Sequence, residues 1–190
     1  MRSFKQFIRE NIDGVKNGIW CTSPPENPLE YNATDLRTIL DFNNYEEDHL
    51  YNDVEFAFYK KLNTLEGCPE KVINYFYLNF LPELKTLEYA PKFVGNSAYL
   101  SSLDLSTLSG IGKRFFNEIK VMLSFDNCTI DSSILGLLLI KGLSSCVSVF
   151  NGGKDLERAI IVINNHLPDR DILEAKTELI ELGYSRYAKL

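Results

Sequence analysis

The feature that most constrains this 190-residue chain is a hexapeptide that comes back twice. Thr64-Leu65-Glu66-Gly67-Cys68-Pro69 returns after 22 residues as Thr86-Leu87-Glu88-Tyr89-Ala90-Pro91, and after a further 21 as Thr107-Leu108-Ser109-Gly110-Ile111-Gly112. Each copy leads through a basic-apolar step (Lys71-Val72, Lys92-Phe93-Val94, Lys113-Arg114-Phe115) into a short apolar stretch: Tyr75 to Leu78, Ala98 to Leu100, Ile119 to Leu123. Proline and glycine recur too often here for a helix longer than two turns. A strand plus a turn cannot bury its apolar side alone, so units of this kind must stack. Stacking predicts that Leu65, Leu87 and Leu108 line one interior, with Pro69, Pro91 and Gly112 ending the strands and reversing the chain.

The pattern extends in both directions. Asp53-Val54-Glu55-Phe56-Ala57-Phe58-Tyr59 alternates with period two, and Leu36 to Phe42 reads as a strand or short helix. Downstream, Gly136 to Ile140 and Cys146 to Phe150 read as further strands, closed by the turn Asn151-Gly152-Gly153. From Lys154 the period becomes helical, with Leu156, Ile160, Ile163 and Leu167 on one face up to Pro168. A second helix, capped by Asp169 or Asp171, carries Ile172, Leu173, Leu179, Ile180 and Leu182 as far as Gly183. Such a hairpin could cover the open end of the stack and remove an exposed sheet edge. The expected fold class is α+β: a short β-solenoid of about 21-residue turns over residues 29–153, a helical hairpin cap over 154–190, and an N-terminal leader and linker over 1–28, with Pro24, Pro25 and Pro28 in an extended connector.

The segment Leu62-Asn63-Thr64-Leu65-Glu66-Gly67-Cys68-Pro69-Glu70-Lys71-Val72 resembles the units of leucine-rich-repeat-like proteins of tailed bacteriophages, which read L-T-S-L-E-G-C-P-x-x-V before a strand. The similarity covers roughly residues 54–150 and weakens in the third unit, where Gly112 replaces proline. The ending Thr177-Glu178-Leu179-Ile180-Glu181-Leu182-Gly183-Tyr184-Ser185-Arg186-Tyr187-Ala188-Lys189-Leu190 is similar to a tail carried by many of these proteins. Met1-Arg2-Ser3-Phe4-Lys5-Gln6-Phe7-Ile8-Arg9-Glu10 resembles the capsid-targeting leaders of T-even-type internal head proteins, cut after their final glutamate. That resemblance implies processing directed by Ile8 and Glu10. The plain alternative is a short helix packing Phe4, Phe7 and Ile8 on the body.

No chemistry is legible. Glu46-Glu47-Asp48-His49 gathers three carboxylates and a histidine but reads as a solvated loop, and His166 suits the negative end of a helix. Gly110-Ile111-Gly112-Lys113-Arg114 lacks the spacing of a phosphate loop, and the four dispersed cysteines contain no C-x-x-C pair. A net charge of −6 has the wrong sign for phosphate backbones, and the longest apolar run, Ile134 to Ile140, is too short for a bilayer. The expectation is therefore a protein without catalysis, cofactor or metal, binding neither nucleic acid nor membrane. Its contacts would be made through a face carrying Tyr75, Tyr77, Asn79, Tyr99 and Ser101, although a slip of one residue would exchange the exposed and buried sets. The phage resemblance implies a host or phage protein as partner, in host takeover or defence inhibition. It places the chain in the host cytoplasm during infection or, as an internal head protein, in the virion.

Overall fold

The computed structural model describes residues 19–22, 33–34, 36–37, 39, 51–149 and 154–190. The leader Met1–Glu10 with Ile8 and Glu10, the prolines at 24, 25 and 28, and the Glu46–His49 cluster lie outside them. The chain forms a β-solenoid of about four turns followed by two helices, a mixed α+β fold.

One parallel sheet carries most of the structure. Its path runs through β1 (Ile19–Thr22), β2 (Tyr51–Ala57), β3 (Lys71–Asn79), β5 (Ala98–Ser101), β8 (Met122–Asp126) and β10 (Ser145–Val149). Two short strands, β4 (Phe93–Val94) and β7 (Glu118–Ile119), continue it beside β3, while β6 (Asp104–Leu105) and β9 (Thr129–Ile130) form a second parallel pair. Val54 lies opposite Phe76, and Phe76 opposite Ala98, which is the 22-residue step of the sequence repeat. Strand β1, within the stretch expected as leader and connector, instead pairs with β2 from Ile19 opposite Asp53.

The hexapeptide makes a tight turn that explains its own composition. Cys68 donates its N–H to the Leu65 carbonyl, Ala90 to Leu87 and Ile111 to Leu108. The third residue of each turn has positive φ: Gly67 at 92°, Tyr89 at 67° and Gly110 at 93°. Only glycine takes that conformation without a Cβ penalty, hence the Gly in two of three copies. Thr64 and Thr107 accept hydrogen bonds from the N–H groups of Glu66 and Ser109, which is the reason for the leading threonine. The leucines at the second position, Leu65, Leu87 and Leu108, are fully buried in the common core. Tyr89 is the odd residue, 54% exposed and held left-handed. Tyr89→Gly is expected to raise the melting temperature by about 2 °C, since about 1 kcal/mol of backbone strain is relieved and little packing is lost. A lower melting temperature by calorimetry would show that the ring contributes more than the strain costs.

Three expectations are corrected by the strand register. Pro69 and Pro91 do not end strands; β3 and β4 begin two residues after them. The strands end at residues in left-handed conformation, Phe58, Phe80, Ser102 and Asn127, whose φ values lie between 50° and 66°. At three of these corners the N–H is donated to the neighbouring turn: Phe58 to Asn79, Phe80 to Ser101 and Ser102 to Asp126. Second, Lys113-Arg114-Phe115 is not the counterpart of Lys71-Val72. The leucines Leu87 and Leu108 are 21 apart, whereas Phe93 pairs with Glu118, 25 apart, so four extra residues lie between them and β7 takes the strand position. Third, the apolar run at Gly136–Ile140 is a 3-10 turn, Leu135–Leu139, rather than a strand. Buried on all sides, such a run carries no alternation by which a strand could be told from a helical turn. Gly136 packs so closely on the preceding turn that a Cβ there would lie 2.8 Å from the Ile111 carbonyl oxygen.

The C-terminal helices, α1 (Lys154–His166) and α2 (Ile172–Glu181), close the stack. Asn164 of α1 accepts the Cys146 N–H and donates to the Cys146 carbonyl, both at 2.7 Å. One side chain thereby supplies the hydrogen bonds that a further strand would make with β10. Asp171, not Asp169, caps α2 through the Glu174 N–H. The expected apolar face of α2 is only partly used: Ala175 and Leu179 are buried, whereas Leu173, Ile180 and Leu182 are exposed. The tail continues the cap on another side of the stack. Ser133 and Ile134 donate to the carbonyls of Arg186 and Tyr187, and Tyr187 is 1% exposed.

Candidate protein-binding face

Strand geometry sends successive side chains to opposite sides of a sheet. In β3 and β5 the inner set is Phe76, Leu78, Ala98 and Leu100, each fully buried. Their neighbours Tyr75, Tyr77, Asn79, Tyr99 and Ser101 are part-exposed on the outer side. The alternative register, one residue displaced, is therefore not the one adopted. Parallel pairing places Tyr77 directly opposite Tyr99 and Asn79 opposite Ser101, so all five expected residues share one face.

The three phenols form a cluster. Tyr77 and Tyr99 stack with ring centroids 5.1 Å apart and an 11° angle between planes. Tyr75 lies 6.0 Å from Tyr77 and 6.1 Å from Tyr99, tilted to both. Parallel in-register strands create this arrangement, because equivalent residues one turn apart are held a strand spacing from each other. Rings that pack on one another lose little further conformational freedom when a partner arrives, which favours them as contact residues.

Carboxylates that the repeat search did not single out border this cluster. Asp53 lies opposite Tyr75 and accepts its backbone N–H at 3.1 Å, and Glu55 lies opposite Tyr77. On the other side Asp126 lies opposite Ser101 and is exposed. For Asp53 and Glu55 the signal was present in the period-two alternation of Asp53 to Phe56, since the residues on either side of Val54 had to face outward. Burial raises the Tyr77 phenol above its ordinary pKa, and the negative charge of Asp53, the neighbouring phenols and Glu55 raise it further. Among the described residues, β2, β5, β8 and the Tyr75–Asn79 half of β3 contain no Lys or Arg. Lys71 and Lys120 lie at the other end of the strands, over the Phe93 ring at 5.3 and 6.0 Å.

Other sites are less organised. His166 hydrogen-bonds Glu178 at 2.8 Å, joining α1 to α2 in addition to its position at a helix C-terminus. Ligand atoms of His166, Asp169 and Glu174 come within 4.8 Å of one another, but Asp169 already accepts the Asp171 N–H. The three described thiols whose surroundings are known, Cys68, Cys128 and Cys146, are buried, and burial pushes Cys128 to about 11 and Cys146 to about 12. Such thiols stay protonated at neutral pH and make poor nucleophiles. A cavity of about 250 Å³ between the Gly110–Arg114 loop and Leu139 is smaller than usual ligand pockets. Among the described residues no helix is long and apolar enough to cross a membrane.

No family model, no curated protein and no solved structure matches this chain.

Proposed function

We propose that the protein is a binding module that engages a partner protein through the outer face of its solenoid sheet and catalyses no reaction. The observation that carries this reading is the in-register cluster of Tyr75, Tyr77 and Tyr99, flanked by Asn79 and Ser101. Tyrosine offers a large rigid ring and a hydroxyl at low entropic cost, the combination that dominates protein interfaces. Replacing Tyr77 and Tyr99 together by Ala should abolish capture of the partner in a pull-down while lowering the melting temperature by only about 2–6 °C, the loss of one part-exposed stacked pair. Retention of the partner by this double variant would remove the basis for assigning the face.

The phage resemblance of the repeat, the tail and the leader supports action inside an infected host cell, on a host or phage protein, in takeover or defence inhibition. The leader-like Met1–Glu10 favours a second reading, packaging in the virion head. Mass spectrometry of purified particles should then find the chain beginning at Asn11. Its absence from particles, with Met1 intact in the infected cytosol, would reject packaging.

A further inference from the structure

We infer that the segment recognised by this face is cationic: a stretch of partner chain whose arginine or lysine side chains reach the tyrosine cluster between carboxylates. This rests on the binding reading above and adds the chemistry of the ligand. Three observations bear on it. Among the described residues, β2, β5, β8 and the Tyr75–Asn79 half of β3 carry Asp53, Glu55 and Asp126 and no Lys or Arg; the one basic residue of these strands, Lys71, stands at the opposite end of β3. The carboxylates stand on opposite borders of the phenol cluster, with Asp53 and Glu55 paired to Tyr75 and Tyr77, and Asp126 paired to Ser101. Lys71, at the start of β3, and Lys120, between β7 and β8, are placed over the Phe93 ring, away from the tyrosine end of the strands.

A cation approaching the cluster meets attraction of two kinds. The edges of the rings carry hydroxyl oxygens and their outer faces carry the negative side of the ring quadrupole, both favourable to guanidinium or ammonium. The carboxylates add charge-assisted hydrogen bonds, for which arginine's planar fork is well shaped. An acidic or phosphorylated segment would meet the same groups as repulsion, so the face discriminates by sign as well as by shape.

The test uses the full chain against a display library of random dodecapeptides, with counter-selection on a Tyr77→Leu/Tyr99→Leu variant. Sequences enriched on the unmodified protein should be rich in Arg and Lys. Replacing each Arg by citrulline, which keeps shape and removes charge, should weaken a selected peptide about tenfold or more, and Asp53→Asn/Glu55→Gln should do likewise, in line with close charge pairs at interfaces. Matching melting temperatures of the variants and the parent keep the comparison free of folding effects. Neutral or acidic peptides that depend on the tyrosines, or peptides indifferent to citrulline, would overturn the cationic assignment while leaving the face as a binding site. If no enriched sequence distinguishes the parent from the tyrosine variant, both the assignment and the binding reading fall.

Discussion

Phe76→Ala is expected to cost about 4 kcal/mol of unfolding free energy, the largest effect of any single truncation considered for this fold. Phe76 is fully buried at the middle of β3, the strand flanked by turns on both sides. Its ring makes edge contacts with Phe56 of the preceding turn at 6.3 Å and with Phe116, two turns further on, at 5.8 Å. Removing the ring therefore loses burial and leaves a cavity bounded by two aromatics from different turns, which cannot both collapse inward without moving their own strands. In a solenoid, stability is nearly a sum of units and of interfaces between neighbours, and this substitution removes a ring that touches the turn before it and reaches the core of one two turns on. Urea denaturation followed by fluorescence and by circular dichroism should show the loss, with Phe76→Leu costing well under half as much. A Phe76→Ala variant within 1 kcal/mol of the parent would mean that the aromatic stack is not what joins the turns.

The second large effect concerns Arg170, which joins the cap to the solenoid. Its guanidinium donates to the carbonyls of Leu138 at 3.1 Å, Ile140 at 2.7 Å and Leu143 at 2.8 Å, the groups left over as the 3-10 turn ends. Its backbone sits at φ 61° in the corner between α1 and α2, with the N–H donated to His166. Arg170→Met keeps the apolar stem but strands three carbonyls, and is expected to cost about 3–4 kcal/mol. With roughly 2–4 °C lost per kcal/mol in a chain of this size, the melting temperature should fall by about 10 °C. Lysine should recover part of the loss, since a single ammonium cannot reach all three oxygens in the planar geometry of arginine. Glycine offers an internal check. Arg170→Gly loses the same hydrogen bonds but relieves the left-handed strain, so it should be about 1 kcal/mol less damaging than Arg170→Ala. Equal melting temperatures for parent and Arg170→Met would show the cap to be held by its apolar contacts alone.

Much of this architecture follows from neighbouring residues. Leu65, Leu87 and Leu108 recur, their turns contain Gly67 and Gly110, and Val54 and Phe56 alternate with Asp53 and Glu55; each pattern obeys a local rule of turn or strand chemistry. The same rules put Tyr75, Tyr77 and Tyr99 on one side of the sheet, and the burial of Phe76, Leu78, Ala98 and Leu100 decided that this side is the outer one. What escaped are features whose cause lies one turn away. Nothing about Phe58, Phe80 or Ser102 favours positive φ; the conformation is imposed by a hydrogen bond to the next turn. Asp53 and Asp126 acquired their meaning only when the register set them beside Tyr75 and Ser101.

The C-terminal end divides along the same line. Helical periodicity and the break at Pro168 announce two helices, and their apolar faces announce a cap. That Asn164 serves as a substitute strand for Cys146, that Tyr187 enters the core, and that Arg170 collects three carbonyls are properties of the assembled molecule. By itself the sequence determined the repeat, its turns, the alternation of faces and the change from strand to helix near Lys154, since these depend on contacts within a few residues. Only the tertiary structure decided the 25-residue third step, the corners and the polar joints of the cap. Those depend on which backbone groups remain unpaired once neighbouring turns have stacked, and the chain satisfies them with whatever side chain stands within reach.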